Sequence, residues 1–175
     1  MSNIDRKFIT QNILNLIDFS GVADIDFANL IEKSARTIVR IRKGEALFTI
    51  EDINIATEFF NKPLTELNTK NIQFEDNFRN NLKATHKSHT SFYTVLDKRP
   101  AITYAITYYL LKNEEFCTSG LTVDKINQFF NSFGWDYSSS YVSSAMNRNK
   151  KLIDIVGTKI IDGNEVNIYK AKPQK

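Results

Sequence analysis

Apolar residues recur at helical spacing through most of this chain, and they alternate with polar residues only near its end. Residues 5–19 carry apolar side chains at helical intervals, which predicts an amphipathic helix that ends near Gly21. The same spacing predicts four more short helices, over residues 26–33 and 34–44, from Thr49 to about residue 60, and from Pro63 to Leu67. Thr49 and Asp52 have the spacing of a capping box at the start of the fourth helix. Residues 1–68 therefore predict a compact bundle of five helices.

The segment 69–99 is polar and rich in asparagine, so we expect it to join two domains. Phe74, Phe78 and Leu82 repeat at four-residue intervals within it, which predicts that part of this linker is a helix with one apolar side. His86 and His89 are three residues apart, a spacing that can hold a metal on a helix. No carboxylate or thiol lies close enough in sequence to complete a metal site, so we expect two exposed histidines in a loop.

Residues 100–175 show a second pattern, three helices followed by a hairpin. The first helix is predicted over residues 102–110, the second starts at Thr122 or Asp124 and ends before Gly134, and the third follows capping hydroxyls at Ser138, Ser139 or Ser140 and runs to Asn149. Residues 159–161 and 166–169 are β-branched runs, and the sequence Asp162-Gly163-Asn164 between them is a strong hairpin turn signal. The expected fold class is mainly α, with the five-helix bundle followed by a small α+β domain.

The predicted helix over residues 34–44 has one apolar and one cationic side. Ile38 and Ile41 share one side, while Arg36, Arg40 and Lys43 fall on the other. Five of the nine basic residues among residues 1–70 lie between positions 33 and 43, with no acidic residue among them. A solvated helix face usually mixes charges of both signs, so this concentration favours a phosphate-binding surface.

The run DFANLIEKSARTIVRIRKGE, residues 26–45, resembles the helix-turn-helix of the lambda Cro and repressor proteins, the xenobiotic response element family. Ala28 matches the packing alanine of that pattern, and Gly44 matches the residue that ends its recognition helix. Ser34 matches the helix cap. Two positions depart from the pattern, since Glu32 replaces the usual turn glycine and Lys33 replaces a valine or isoleucine. The resemblance covers residues 5–67.

This resemblance implies a sequence-specific regulator that places the helix over residues 34–44 in the major groove of double-stranded DNA. The residues that match base-reading positions of the family are Ala35, Arg36, Val39 and Arg40. Those placed to contact phosphates are Ser34, Thr37, Arg42 and Lys43. Members of the family usually bind as symmetric dimers, which implies a homodimer and a palindromic site.

The order of elements in residues 100–175 resembles a winged helix, in which the third helix reads a groove and the hairpin is the wing. The outward residues of that helix and the residues after it are Ser143, Ser144, Asn147, Arg148, Lys150 and Lys151. This face is polar but weakly charged, and it suits a DNA contact and a protein contact equally well. An alternative function is therefore a protein-interaction module, for example an antitoxin-like or mobile-element accessory factor, whose C-terminal domain binds a protein partner.

Composition is that of an ordinary globular protein, with 42% hydrophobic and 25% charged residues in a chain of 175. No run approaches the roughly eighteen apolar residues of a membrane span, and the first residues lack a secretory signal pattern. We therefore expect a cytoplasmic protein without a membrane partner. Cys117 is the only cysteine, which excludes an internal disulfide and a cysteine-rich zinc site.

We find no arrangement of residues typical of catalysis. The six glycines do not have the spacing of a phosphate-binding loop. Cys117 is conceivable as a nucleophile with His86 or His89 as its base, but no third group is evident to orient the imidazole. The sequence therefore predicts a protein that binds, with no catalytic residues, cofactor or metal.

Overall fold

The computed structural model describes residues 3–173, which divide after Pro100 into two compact units. The described chain is mainly helical, with a small two-stranded antiparallel sheet near its C-terminal end. The expected fold class is confirmed at this level. The second unit begins at Ala101, one residue after the predicted start of the second domain.

The first unit contains seven helices within residues 3–100. They are α1 (Arg6–Ser20), α2 (Asp24–Leu30), α3 (Ala35–Arg42), α4 (Ile50–Phe59), α5 (Leu64–Thr69), α6 (Phe78–Thr85) and α7 (Thr90–Asp97). Asp5 caps α1 by accepting a hydrogen bond from the Phe8 amide, and Thr49 and Asp52 form the predicted capping box. The first five helices are confirmed, but α2 begins two residues before its predicted start and ends three residues before its predicted end.

The core of the first unit is built around Phe27 of α2. The centroid of its ring lies 5.6 Å from that of Phe60 and 5.9 Å from that of Phe48, and all three side chains are fully buried. Ala28, beside Phe27, is also fully buried. Burial of several aromatic rings of this size is a large source of stability, and here it fixes the position of α2 within the bundle.

The segment predicted to be a linker is instead part of the first unit. Its two helices, α6 and α7, bury Phe78, Leu82, Phe92 and Leu96 in the same core as α1 to α5. Arg79 of α6 is 7% exposed and donates hydrogen bonds to the carbonyl oxygens of Ser20, Leu96 and Lys98 at 2.6, 2.9 and 2.6 Å. One guanidinium group therefore ties α6 to the C-terminal ends of α1 and α7.

The two histidines have different environments, and the expectation that both are exposed is wrong for His86. That side chain is 8% exposed, and its Nε2 lies 2.7 Å from the carbonyl oxygen of Phe59. His89 precedes α7, and its Nδ1 accepts a hydrogen bond from the Phe92 amide at 3.4 Å. His86 therefore fills a contact between α4 and α6, while His89 acts as a helix cap.

The second unit has four α-helices and one hairpin within residues 101–173. They are α8 (Ile102–Tyr108), α9 (Glu114–Thr118), α10 (Val123–Asn131), α11 (Ser139–Arg148), β1 (Ile153–Ile161) and β2 (Asn164–Ala171). Three of these helices match predicted ones, and α9 is an additional short helix. Asp162 and Gly163 have φ values of 50° and 79°, so the predicted turn is a two-residue loop with both residues left-handed. The hairpin is confirmed, and both of its strands are longer than predicted.

A short bridge joins the helices of the second unit to the hairpin. The amide of Leu121 donates to the carbonyl oxygen of Tyr169 at 2.8 Å, and the amide of Tyr169 donates back to Leu121 at 2.9 Å. Both side chains are buried in the core of this unit, together with residues from α8, α10 and α11. The base of the hairpin is therefore fixed to the helices, whereas its far end is exposed.

Candidate nucleic-acid interface

The turn between α2 and α3 has a left-handed residue at Glu32, where φ is 56°. The Glu32 amide donates to the carbonyl oxygen of Asn29 at 3.2 Å, and the Lys33 amide donates to that of Ala28 at 2.8 Å. These two bonds are the Schellman pattern that ends many helices, usually with glycine at the left-handed position. Glu32 therefore forms the turn that glycine usually forms at this position, at a cost of roughly 1 to 2 kcal/mol.

Ser34 and Gly44 flank α3 as the sequence pattern predicts, but the predicted hydrogen bond from the Ser34 hydroxyl is absent among the described residues. Ser34 is the residue before the helix, yet its Oγ lies 3.2 Å from Thr37 Oγ1 and caps no backbone amide. The predicted hydroxyl cap is therefore wrong. The amides of Ala35 and Arg36 form no hydrogen bond within residues 3–173. Gly44 ends the helix with φ of 75°, as predicted.

The two sides of α3 are separated as the pattern predicts. Ile38 and Ile41 are 0% and 3% exposed and pack into the core of the first unit. The opposite side is exposed at Arg36, Arg40 and Lys43, and we call these three residues the cationic face. Val39, also on the base-reading side of the predicted site, is 45% exposed. The helix therefore presents charge and one apolar side chain to solvent while its isoleucines hold it in place.

Few acidic side chains of the described chain pair with the cationic face. Arg36 and Lys43 form no ion pair with any residue of the described chain. Arg40 Nε lies 3.8 Å from Glu45 Oε2, but both side chains are more than half exposed. An ion pair of that length in solvent contributes little, so Arg40 can exchange Glu45 for another anion. Two of these exposed cations are thus unpaired among the described residues and the third is only weakly paired, so all three can bind an anion.

Arg42 has a different environment from the one that the sequence predicts. Its guanidinium binds both Asp24, at 2.7 and 2.8 Å, and Asp18, at 2.8 and 3.3 Å. Burial by itself lowers the pKa of this group, but the hydrogen bonds and charges of Asp24 and Asp18 outweigh that effect and raise its pKa. The Arg42 guanidinium is therefore already paired with two carboxylates of the protein, so it is not available for a phosphate contact.

Asp18 and Asp24 are positioning residues that the sequence analysis does not identify. Their carboxylates come from the last part of α1 and the first turn of α2, and both meet on Arg42 at the end of α3. The available signal is weak. Acidic residues slightly outnumber basic ones among residues 1–70, so carboxylates are available to this segment, but the count does not say which cation they bind.

The second candidate face, on and after α11, is exposed at five of its six residues. Ser143 is half-buried, and Asn147 Oδ1 accepts a hydrogen bond from the Tyr169 hydroxyl at 3.5 Å. Arg148 Nε donates to the carbonyl oxygen of Ser144 at 3.2 Å, which directs the side chain along its own helix. Ser144, Asn147, Arg148, Lys150 and Lys151 are exposed. The predicted outward face is therefore largely exposed, although Asn147 also contacts Tyr169 of the hairpin.

Comparison with protein-family models, with curated proteins and with solved structures gives no match for this chain. No helix within residues 3–173 combines the length and the apolar character needed to cross a membrane. In the same part of the chain, no three histidine, cysteine or acidic side chains come together as a metal site. The class of site is therefore defined by geometry: an exposed cationic helix that follows a short, partly buried helix and a turn with one left-handed residue.

Proposed function

We propose that the protein is a sequence-specific double-stranded DNA-binding transcriptional regulator that acts in the cytoplasm. In this proposal the first unit is a helix-turn-helix domain of the Cro and repressor type, and the second is a winged-helix-like domain. The observation that carries it is the cationic face of α3, whose members are exposed while Ile38 and Ile41 anchor the opposite side. The mechanism is binding alone, with no chemical step or cofactor.

The groove-facing residues have distinct proposed roles. Arginine donates two hydrogen bonds to guanine N7 and O6 in the major groove, so Arg36 and Arg40 read guanines. Val39 is exposed and apolar, which suits contact with a thymine methyl group. Ala35 precedes Arg36 in the first turn of α3 and allows close approach to a base edge.

Phosphate contacts fix the register of α3 on the duplex. Lys43 has no internal partner among the described residues and lies at the end of the cationic face. Ser34 and Thr37 have exposed or half-buried hydroxyls near the start of α3, where the unbonded amides of Ala35 and Arg36 also favour an anion. Arg42 contributes indirectly, because it holds α3 against α1 and α2.

We further propose that the protein binds as a homodimer. Two recognition helices read successive major grooves only when they lie about 34 to 36 Å apart, which a two-fold arrangement of two copies provides. Sedimentation equilibrium with and without a palindromic duplex tests this directly. A protein that is monomeric in both conditions would contradict the dimer while leaving groove binding by one copy intact.

The decisive experiment is selection of bound sequences from a random duplex pool, followed by a salt titration on the winning duplex. We expect an enriched motif containing guanine, and an affinity that falls steeply with salt because bound phosphates release counterions. As a control, the same selection and titration are run on Lys125→Ala, which removes an exposed lysine of the second unit, outside α3, that pairs with Glu115 at 2.8 Å. No enriched motif together with a salt slope near zero would refute the proposal.

A second candidate function, a protein-interaction module, is favoured by one observation on the hairpin. Ile155, Val156 and Ile160 of β1 are 52%, 52% and 65% exposed. In the described sheet β1 pairs only with β2, so its outer edge has unpaired backbone groups. An exposed apolar edge strand suits addition of a partner strand, as in an antitoxin-like or accessory factor. Retention of a protein partner by the full chain, and its loss in Ile160→Lys, would favour this function.

A further inference from the structure

The second unit contains an open cleft that the proposed function does not use. It has a volume of about 610 Å³ and lies between the C-terminal part of α8, α9 and the base of the hairpin. Pockets that bind small organic molecules typically measure about 300 to 1,000 Å³. The cleft is thus large enough for such a molecule.

One part of the cleft wall is apolar. Leu111, Leu152 and Ala171 line it, and each is a partly buried side chain packed against the core of the second unit. Because these three residues lie on the core, they form a surface that is held in shape before any ligand arrives. A flat apolar group placed on them would remove additional apolar surface from water.

Another part of the wall is cationic. Three of the nine lining residues are lysines, Lys112, Lys170 and Lys172, and none of the described lining residues is acidic. Lys172 Nζ lies 3.2 Å from Asp154 Oδ1, which neutralises part of its charge. Lys170 is half-buried and forms no ion pair with any residue of the described chain. A half-buried lysine without a carboxylate partner in the described chain favours an anion brought by a ligand.

We infer that this cleft binds a small organic anion with an apolar body, such as a medium-chain or aryl carboxylate. The carboxylate accepts hydrogen bonds from Lys170 and Lys172, and the body lies on Leu111 and Leu152. Inorganic phosphate would satisfy the lysines but would leave the apolar wall in water. A neutral alcohol would cover the apolar wall but would leave the ammonium groups without a counterion.

The chain contains a natural reporter of occupancy. Cys117 lines the cleft, and its Sγ donates a hydrogen bond to the carbonyl oxygen of Leu111 at 3.2 Å. It is the only cysteine of the protein, so a thiol reagent labels this position alone. A ligand that fills the cleft shields Cys117, and this measurement needs no substitution.

The experiment titrates the full chain with octanoate, octanol and octylamine by calorimetry and measures alkylation of Cys117 by iodoacetamide with and without each. We expect octanoate to bind most tightly and to slow alkylation severalfold, with octylamine binding least. In the double variant Lys170→Gln, Lys172→Gln, octanoate affinity should fall by about tenfold, whereas octanol affinity should not change.

Lys159→Gln is the matched control, because it removes one exposed lysine from the same hairpin at a position outside the cleft. It should bind octanoate as the unchanged protein does. Equal affinity for octanoate and octanol would overturn the inference. So would an alkylation rate that octanoate does not alter, or an equal loss of octanoate affinity in Lys159→Gln and the double variant.

Discussion

Arg42 and Asp24 form a two-bond ion pair, with Nε 2.8 Å from Oδ2 and one terminal nitrogen 2.7 Å from Oδ1. Asp24 is the first residue of α2 and Arg42 is the last residue of α3, so the pair joins the two ends of the helix-turn-helix. Asp18 of α1 binds the same guanidinium. Arg42 therefore holds the end of α3 against α1 and α2, and so helps to orient the outward cations of that helix.

Replacement of Arg42 by methionine should destabilise the first unit without removing a DNA contact. We expect a loss of about 1 to 2 kcal/mol in the free energy of unfolding, because a bidentate pair to two carboxylates is lost but solvent partly screens it. Urea denaturation followed by circular dichroism measures this loss. Lys43→Ala is the neighbouring control, since Lys43 has no described partner, and its unfolding free energy should change little. Equal loss in both variants would contradict this role of Arg42.

The DNA roles of Arg36 and Lys43 predict different kinds of defect. Arg36→Ala should weaken binding by about 1 to 3 kcal/mol and relax the preference at one base pair, because a bidentate contact to guanine is lost. Lys43→Ala should weaken binding to all sequences alike and reduce the salt dependence by about one phosphate. Binding of each variant to the selected duplex and to single-base changes of it separates the two. Equal loss of discrimination in both would contradict the assigned roles.

Most features decided by local chemistry could be predicted from the sequence, although the hydroxyl cap at Ser34 could not. The capping box at Thr49 and Asp52, the stop at Gly44 and the turn at Asp162 and Gly163 each follow from a few neighbouring residues, and the structure confirms all of them. The division of α3 into a buried and a cationic side also follows from spacing within eight residues.

Features decided by distant partners could not be predicted. The segment 69–99 is polar in composition, and only the fold shows that Arg79 meets carbonyl oxygens from Ser20 and Lys98. Polar composition therefore indicated a linker where the chain is in fact packed. His86 is buried for the same kind of reason, because its partner is a carbonyl oxygen 27 residues away. The sequence predicts a phosphate contact for Arg42, because helical spacing does not show its contacts with Asp18 and Asp24 on other helices.

Replacement of Glu32 by glycine should stabilise the first unit. Glu32 has a φ of 56°, a conformation that costs a residue with a Cβ atom roughly 1 to 2 kcal/mol, whereas glycine adopts it freely. Part of this gain is lost to the greater freedom of glycine in the unfolded chain, so we expect a net gain of about 0.5 to 1 kcal/mol. Asn61→Gly is the comparison, since Asn61 is also left-handed but asparagine tolerates that region better. A gain at position 61 equal to or larger than that at position 32 would contradict this explanation.

The position of α6 and α7 predicts where the chain can be divided. A fragment of residues 1–100 should fold cooperatively, because it keeps the whole core that includes Phe78, Leu82, Phe92 and Leu96. A fragment of residues 1–70 should be largely unfolded or strongly destabilised, since it exposes the surfaces on which those four side chains pack. Circular dichroism and urea denaturation of both fragments test this. Equal stability of the two would restore the interpretation of residues 69–99 as a linker.

Gly120 should be the most sensitive glycine of the second unit. Its φ is 81°, and an added Cβ would lie 2.8 Å from both the Tyr169 carbonyl oxygen and Ile168 Cγ2. The carbonyl oxygen accepts the bond from Leu121 that fixes the hairpin, so it cannot move away without loss of that bridge. Gly120→Ala should therefore lower the unfolding free energy by at least about 2 kcal/mol. Gly157→Ala is the control, because no atom lies within 4 Å of its added Cβ, and its effect should stay within about 0.5 kcal/mol. Fluorescence of Trp135, the only tryptophan, reports unfolding of this unit in urea. Similar midpoints for the two variants would show that the close approach of β2 to Gly120 does not limit stability.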